Sequence, residues 1–358
     1  MTRAVSRGVF PGAVLLAAHR EQVITVTAGR LDYDARSRPV TPETIYDLAS
    51  LTKVLATTIL AMIFLEKDWL SLHYPLARFW PSRLPEDKKE LTLKHLLSHT
   101  SGLPAWRPYF ETLKQIPAQE RRKRAAELIL GEPLETRPGT RSIYSDLNFI
   151  LLGLILEEIG QARLGRLFDD FIAGHLNLRH TGYRPLEGKA RADIEWTAPT
   201  EDCPDRGGVL RGVVHDKNAY ALGGVAGHAG LFGTAGEVWR IMASLRASFR
   251  NETGVRLVSN QTVKTFWSRA AANPRITGAL GFDRPAETGS AAGRYFSRTS
   301  VGHLGYTGTS LWYDPNRDFA LILLSNRVHP DSGNEAIKQF RPYIHDLAVE
   351  IILGKNHE

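Results

Sequence analysis

Apolar and polar positions change period along the chain, short-period at both ends and helical in between. Near the start, "AVLLAAHREQVITVTAGRL" reads as two β-rich runs around a polar turn at His19 to Gln22, the pattern of a hairpin. The residues before it imitate a secretory leader, with two arginines, a short apolar run and small residues. "GVFPG" interrupts that run, so the segment is assigned to the first hairpin. From Tyr46 the text becomes "YDLASLTKVLATTILAMIFLEK", and a long apolar helix is expected over residues 50 to 67.

Helices and Pro-rich connections then dominate to about residue 206, with hardly any convincing strand. "LTLKHLLSHTSGLP" is expected to end a helix at Gly102 and Pro104, "KRAAELILG" closes another at Gly131, and "LNFILLGLILEEIGQ" is strongly apolar up to Gly160. Residues 183 to 235 are loop-rich and glycine-dense, and a helix is expected from about Glu237 to Phe249. Strands return in "TSLWYDPNRDFALILLSN", two β-rich runs joined by turn chemistry at "DPNRD". "NEAIKQFRPYIHDLAVEIILG" then closes the chain with helical spacing.

Strands at both ends and helices between them predict an α/β (α+β) fold. One antiparallel sheet would be made by the N- and C-terminal strands, flanked by helices, beside a mostly helical second subdomain. The expected division is 1–71 with 207–358 as a discontinuous α/β subdomain and 72–206 as the helical one. The site is expected in the cleft between them. No run of about 18 apolar residues occurs, so no membrane span is expected.

Composition narrows the chemistry without naming it. The 358 residues are 43% hydrophobic and 23% charged, an ordinary globular balance. A net charge of +7 favours acidic partners in general. The densest basic cluster, Glu120 to Arg124, lacks interleaved aromatics and reads as a solvated helix face, so no nucleic-acid partner is expected. The single cysteine, Cys203, excludes an internal disulfide and a cysteine-based metal site.

Three stretches carry candidate chemistry. In the first, Ser50 and Lys53 stand three residues apart, on one face if the segment is helical. A serine hydroxyl needs a neighbouring base, and a lysine of depressed pKa can be one. A capping serine with a snorkelling lysine has the same spacing, which alone does not decide between them. The second is Tyr144-Ser145-Asp146 before an apolar helix, where Ser145 and Asp146 suit capping and Tyr144 could shuttle a proton. The third is "VGHLGYTGTSLWYDP", in which Gly305 and its neighbouring glycines leave a strand edge uncrowded beside His303 and Tyr306; a surface histidine on a Gly-rich edge is the bland alternative.

In order and spacing the three resemble the serine hydrolase superfamily that includes class C β-lactamases, low-molecular-weight DD-peptidases and related carboxylesterases. "SLTK" matches S-x-x-K, "YSD" falls where Y-x-N is usual, and "HLG" falls where K-T-G or H-x-G is usual. "LKHLLSHTSGLP", "RPGTRSIYSDLNFILLG" and "GGVAGHAGLFGTA" look like further landmarks, so the resemblance covers nearly the whole chain. It implies Ser50 as acyl-forming nucleophile, Lys53 as its general-base partner, Tyr144 as proton relay, and the N–H groups of Ser50 and Tyr306 as an oxyanion hole. His303 would replace the lysine that helps bind a substrate carboxylate. No cofactor or metal is implied. The expected substrate is a small ester, a β-lactam or a peptidoglycan-derived peptide; oligomeric state is left open, as is the compartment, cytoplasmic as given or exported if a leader was removed.

Two departures bear on activity. Asp146 stands in place of an asparagine; an ionised carboxylate cannot donate to a substrate carbonyl and should hold Lys53 protonated, shifting base work toward Tyr144. Leu304 lacks a threonine hydroxyl and His303 is mostly neutral at pH 7 unless paired. Both favour esterase or slow peptidase activity over efficient β-lactam hydrolysis. The alternatives are a slow or inactive penicillin-binding or acyl-binding sensor, and a metal-dependent hydrolase using His95 and His99 at i, i+4 with His215, Asp216 or His228. Trp106, Tyr109 and Phe110 are candidates for an aromatic wall.

Overall fold

The computed structural model describes residues 1–81, 84–187 and 193–354. The part of the loop-rich stretch at 188–192 lies outside them. A short helix, Thr2–Ser6, precedes the hairpin of β1 (Gly12–His19) and β2 (Gln22–Gly29). Alternate β1 side chains are buried on both faces, since β1 lies inside the sheet while β2 forms its edge. The C-terminal strands β3 (Val301–Leu304), β4 (Ser310–Asp314) and β5 (Phe319–Ser325) complete an antiparallel sheet of order β2-β1-β5-β4-β3. Register runs from Ala13 opposite Ser325 to His19 opposite Phe319, joining the two ends of the chain.

Helices cover both faces. The first apolar helix begins at Leu51, runs through a π-helical segment, Lys53–Thr57, and continues as α1 (Thr58–Glu66). It is buried nearly all round, as an apolar helix at the centre of a domain must be. With α2 (Asp146–Gly160) and α3 (Ala235–Arg250) it belongs to the larger core, which also takes Val14, Leu16, Ile322 and Leu324 from the sheet. The opposite face, with Leu15, Leu321 and Leu323, packs against α4 (Ile337–Leu353). The fold class is therefore the one expected from the sequence.

One local expectation fails. The helix in "LTLKHLLSHTSGLP" is only Leu93–Leu97, and His99 adopts a left-handed backbone (φ 55°). The hydroxyl-rich "SHTS" stops it, with Ser98 Oγ bonding back to the Lys94 carbonyl at 2.7 Å. Strand within 72–206 is confined to two-residue pieces, as expected: Asp202–Cys203, and Gly182–Tyr183, which with Tyr46–Asp47 flanks Leu231–Gly233 in a small antiparallel sheet. Such two- and three-residue pairings are too short to leave an alternating signature.

Candidate active site

Ser50 sits at the entrance to the buried helix, immediately after Ala49, whose φ is 46°. Buried Asp47 holds that turn, accepting from the Ala49 N–H at 2.8 Å and the His215 N–H at 2.7 Å. Because residues 51 onward are helical, Lys53 projects beside Ser50, and its Nζ donates to Ser50 Oγ at 2.9 Å. Lys53 is fully buried, with Nζ 2.7 Å from Asp146 Oδ1 and 3.3 Å from the His228 carbonyl. Burial opposes its charge, but Asp146 and Tyr144 outweigh burial and hold the ammonium above its ordinary pKa.

Ser145 occupies the residue before α2 without using its hydroxyl as a cap; its Oγ donates to the Pro104 carbonyl at 2.6 Å. Tyr144 stands just outside the helix, 42% exposed, with its ring centroid 5.0 Å from the Lys53 ammonium. Desolvation raises the phenol to about 12, against the opposing pull of Lys53 and a hydrogen bond to Ser50. Two imidazoles flank the ring, His99 at 4.8 Å and His303 at 5.7 Å between centroids.

The two imidazoles use Nδ1 in opposite senses: His99 Nδ1 accepts from the Ser145 N–H at 3.0 Å, whereas His303 Nδ1 donates to the Leu304 carbonyl at 2.8 Å. Burial lowers the pKa of each, and Lys53 adds to the effect. Asp283 opposes it at His303 from 3.9 Å, too far for a hydrogen bond. His303 is only 2% exposed and is not the surface histidine of the bland alternative.

Opposite Ser50, Gly305 and Tyr306 lie in the β3–β4 turn. Gly305 cannot be larger, because a Cβ there would meet Thr309 Oγ1 at 1.9 Å and the Leu48 carbonyl at 2.8 Å. That close approach seats the turn on the residues leading into Ser50. Among the described residues, no backbone acceptor takes the N–H of Ser50 or Tyr306. A hydroxyl, an amine and a phenol thus meet beside Ser50, and two backbone N–H groups, of Ser50 and Tyr306, stand without a backbone acceptor among the described residues, a set able to run acyl transfer.

Of the metal-ligand candidates, His95 and His99 do not share a helical face: His95 Nδ1 accepts from the Thr92 N–H at 3.1 Å, while His99 packs on Tyr144. The group that does converge is Asp146, Asp216 and His228, with one donor atom each within 4.8 Å of one another. Its atoms already bind protons. His228 Nε2 donates to Asp216 Oδ1 at 2.8 Å, and the Lys53 ammonium lies on Asp146. Asp216 is held below the usual carboxylate range by His228 against burial, which alone would raise it. Sequence spacing missed this pairing, whose only signal was an acid and a histidine in neighbouring glycine-rich loops.

The candidate aromatic wall divides. Trp106 is 44% exposed with Phe110 beside it, whereas Tyr109 is buried and donates to Glu132 Oε1 at 2.8 Å.

Comparison with known proteins identifies a hydrolase of the β-lactamase and penicillin-binding-protein class. The beta-lactamase family profile matches residues 1–341, and the chain belongs to that family. It is 31% identical over 361 residues to the "Putative D-alanyl-D-alanine carboxypeptidase" of Escherichia coli O157:H7, covering 92% of this chain and 82% of the relative. It is 30% identical over 352 residues to the N-acetylmuramyl-L-alanine amidase of Bacillus subtilis (strain 168), covering 89% and 78%. Among solved structures, EstCE1, a hydrolase with promiscuous acyltransferase activity, superposes with a TM-score of 0.72 at 21% identity, covering 95% of this chain and 96% of that one; it bears on the fold alone.

Proposed function

We propose that the protein is a serine hydrolase that cleaves a small ester or amide through an acyl-enzyme on Ser50, in the cleft between residues 72–206 and the rest of the chain. The observation that carries this is the chain of contacts from Ser50 Oγ through Lys53 Nζ to Asp146 Oδ1, 2.9 and 2.7 Å long. Ser50 Oγ bonds to the substrate carbonyl carbon as its proton passes to Lys53, and Lys53 passes one of its own to Asp146. The carbonyl electron pair moves onto oxygen, facing the N–H groups of Ser50 and Tyr306. When the pair returns, the bond to the leaving group breaks. The leaving atom takes the proton of Tyr144, which recovers one from Lys53, and Lys53 recovers one from Asp146. Water then reverses the sequence to release the acid and free Ser50.

A phenol pushed up to about 12 suits an acid toward an alkoxide or amine better than a resting base. Asp146 thereby takes the acceptor role in place of Tyr144. Neutral, buried His303 offers no cation to a substrate carboxylate, which favours uncharged acyl groups and disfavours efficient β-lactam hydrolysis. The names of the curated relatives favour cell-wall-derived peptides as the amide class. The test is a parallel panel of short-chain p-nitrophenyl esters, a chromogenic cephalosporin and a D-Ala-D-Ala peptide, with intact-mass analysis and Ser50→Ala as control. Steady ester release and a Ser50 adduct, both lost in Ser50→Ala, are expected. A burst without turnover would favour the acyl-binding sensor, and no adduct with any acylating probe would overturn the mechanism.

A further inference from the structure

The turn that carries Tyr306 is held by two buried arginines. All five of its carbonyls are bound away from the cleft. Those of Gly305 and Thr309 accept from Arg341 Nη2 at 3.5 and 3.2 Å, besides their bonds within the turn. The Tyr306 carbonyl accepts from Arg327 Nε at 2.8 Å and the Thr307 carbonyl from the Arg327 N–H at 3.0 Å. The Gly308 carbonyl accepts from Ser325 Oγ at 2.9 Å. On the other side, the Thr307 and Thr309 hydroxyls donate to the carbonyls of Asp47 and Leu48, at 2.7 and 3.2 Å.

The arginines are unusual in their own right. Each is 6% exposed. Arg341, from α4, contacts only turn carbonyls among the described residues, its Nε has no partner, and its nearest charge is another cation. Burial pushes its pKa down to about 10. A buried guanidinium without a carboxylate is costly for stability, so packing does not account for it. Arg327 reaches from the end of β5, with Nη1 tied to the Ser332 and Asn334 carbonyls at 2.6 and 2.9 Å and its guanidinium 4.4 Å above the Tyr306 ring.

We propose that Arg327 and Arg341 are positioning residues for acyl transfer: they grip the 305–309 turn by its carbonyls and so keep the Tyr306 N–H aimed at the substrate oxygen. This rests on the function proposed above. The Gly305 carbonyl held by Arg341 shares a planar peptide unit with the Tyr306 N–H, and Arg327 holds the next carbonyl, that of Tyr306 itself, so the peptide planes on both sides of Tyr306 are anchored. An oxyanion donor misplaced by about 1 Å loses most of its effect, on the order of a hundredfold in rate.

The test uses Arg341→Met, Arg341→Lys, Arg327→Met and Arg327→Lys in the full chain. For each, p-nitrophenyl acetate kinetics, affinity for an arylboronic acid and Ser50 labelling by a fluorophosphonate are measured. The boronate forms a tetrahedral adduct that occupies the oxyanion position. Expected are a fall in kcat of roughly 10- to 100-fold, a KM within about threefold, and boronate affinity weakened in parallel with kcat. The lysine variants, retaining charge but not the fork, guard against loss of folding in the methionine ones and recover only part of kcat. Folded variants with unchanged kcat and boronate affinity, or with KM alone raised, would overturn the positioning role while wild-type labelling still supported the acyl-enzyme. Wild-type protein that labels nowhere would remove both.

Discussion

Lys53 is the residue on which the chemistry turns, because burial and pairing act on it in opposite directions. An unpaired buried lysine loses its proton, whereas one 2.7 Å from a carboxylate keeps it. Lys53→Ala and Tyr144→Phe are each expected to slow ester acylation by about two orders of magnitude or more, read from the stopped-flow burst. Equal rates in both variants would contradict the roles proposed for them. Asp146→Asn separates the relay from a simple lysine base. With Asp146 present the serine proton has a built-in acceptor, so acylation should vary little with pH around neutrality. In the variant Lys53 must first lose a proton to solvent, so the rate should drop at neutral pH and climb with pH. A pH profile identical to wild type would refute the relay.

At the scale of elements, two glycines set the depth of the site. Gly153 on α2 and Gly227 in the glycine-rich loop meet backbone to backbone, and a Cβ on Gly227 would lie 2.0 Å from the Phe149 carbonyl. This contact brings the Gly227 carbonyl to Thr57 Oγ1 at 2.6 Å and the next carbonyl, that of His228, to the Lys53 ammonium. Gly227→Ala should destabilise the protein by about 1–3 kcal/mol in urea unfolding, the usual cost of overpacking, and should also reduce acylation by shifting the His228 carbonyl. Wild-type stability would show that the loop can move away without cost. "GGVAGHAGLFGTA" was legible as a landmark, but the helix it clamps was not, because nothing local encodes a contact between residues 74 positions apart.

For the whole molecule, buried histidines make stability depend on pH in a definite direction. His99 and His303 are held below their ordinary range, and His345, on the buried face of α4, is pushed down to about 3 by burial and by Arg341. Between their native values and the ordinary 6.5 the unfolded chain binds protons that the native protein does not, so stability falls as pH is lowered through that window. Glu201, held at about 2 by His215, adds to the loss below pH 4.5. Thermal unfolding should therefore begin at a lower temperature at pH 5 than at pH 7, and His345→Met should reduce that difference. A pH-independent midpoint between 5 and 7 would contradict the buried, neutral state of these rings.

Much of the fold was legible because its causes are local: alternation in β1 and β5, helical spacing in α2, and turn chemistry at "DPNRD" each act over a few residues. Ser50 and Lys53 were legible for the same reason, being one helical turn apart. The helix after Leu93 was overextended because apolar spacing continued past the point where Ser98 and His99 turn the backbone. Convergence was out of reach of the sequence. Only tertiary structure put Asp146 on Lys53, set Tyr144 between two buried imidazoles, paired His228 with Asp216, and brought Arg341 to a turn 32 to 36 residues away in the chain. The sequence by itself determined which residues could carry acyl-transfer chemistry and on which elements they stand. Their protonation states were decided by the fold, because burial and the distance to a counter-charge exist only once the chain has closed around them.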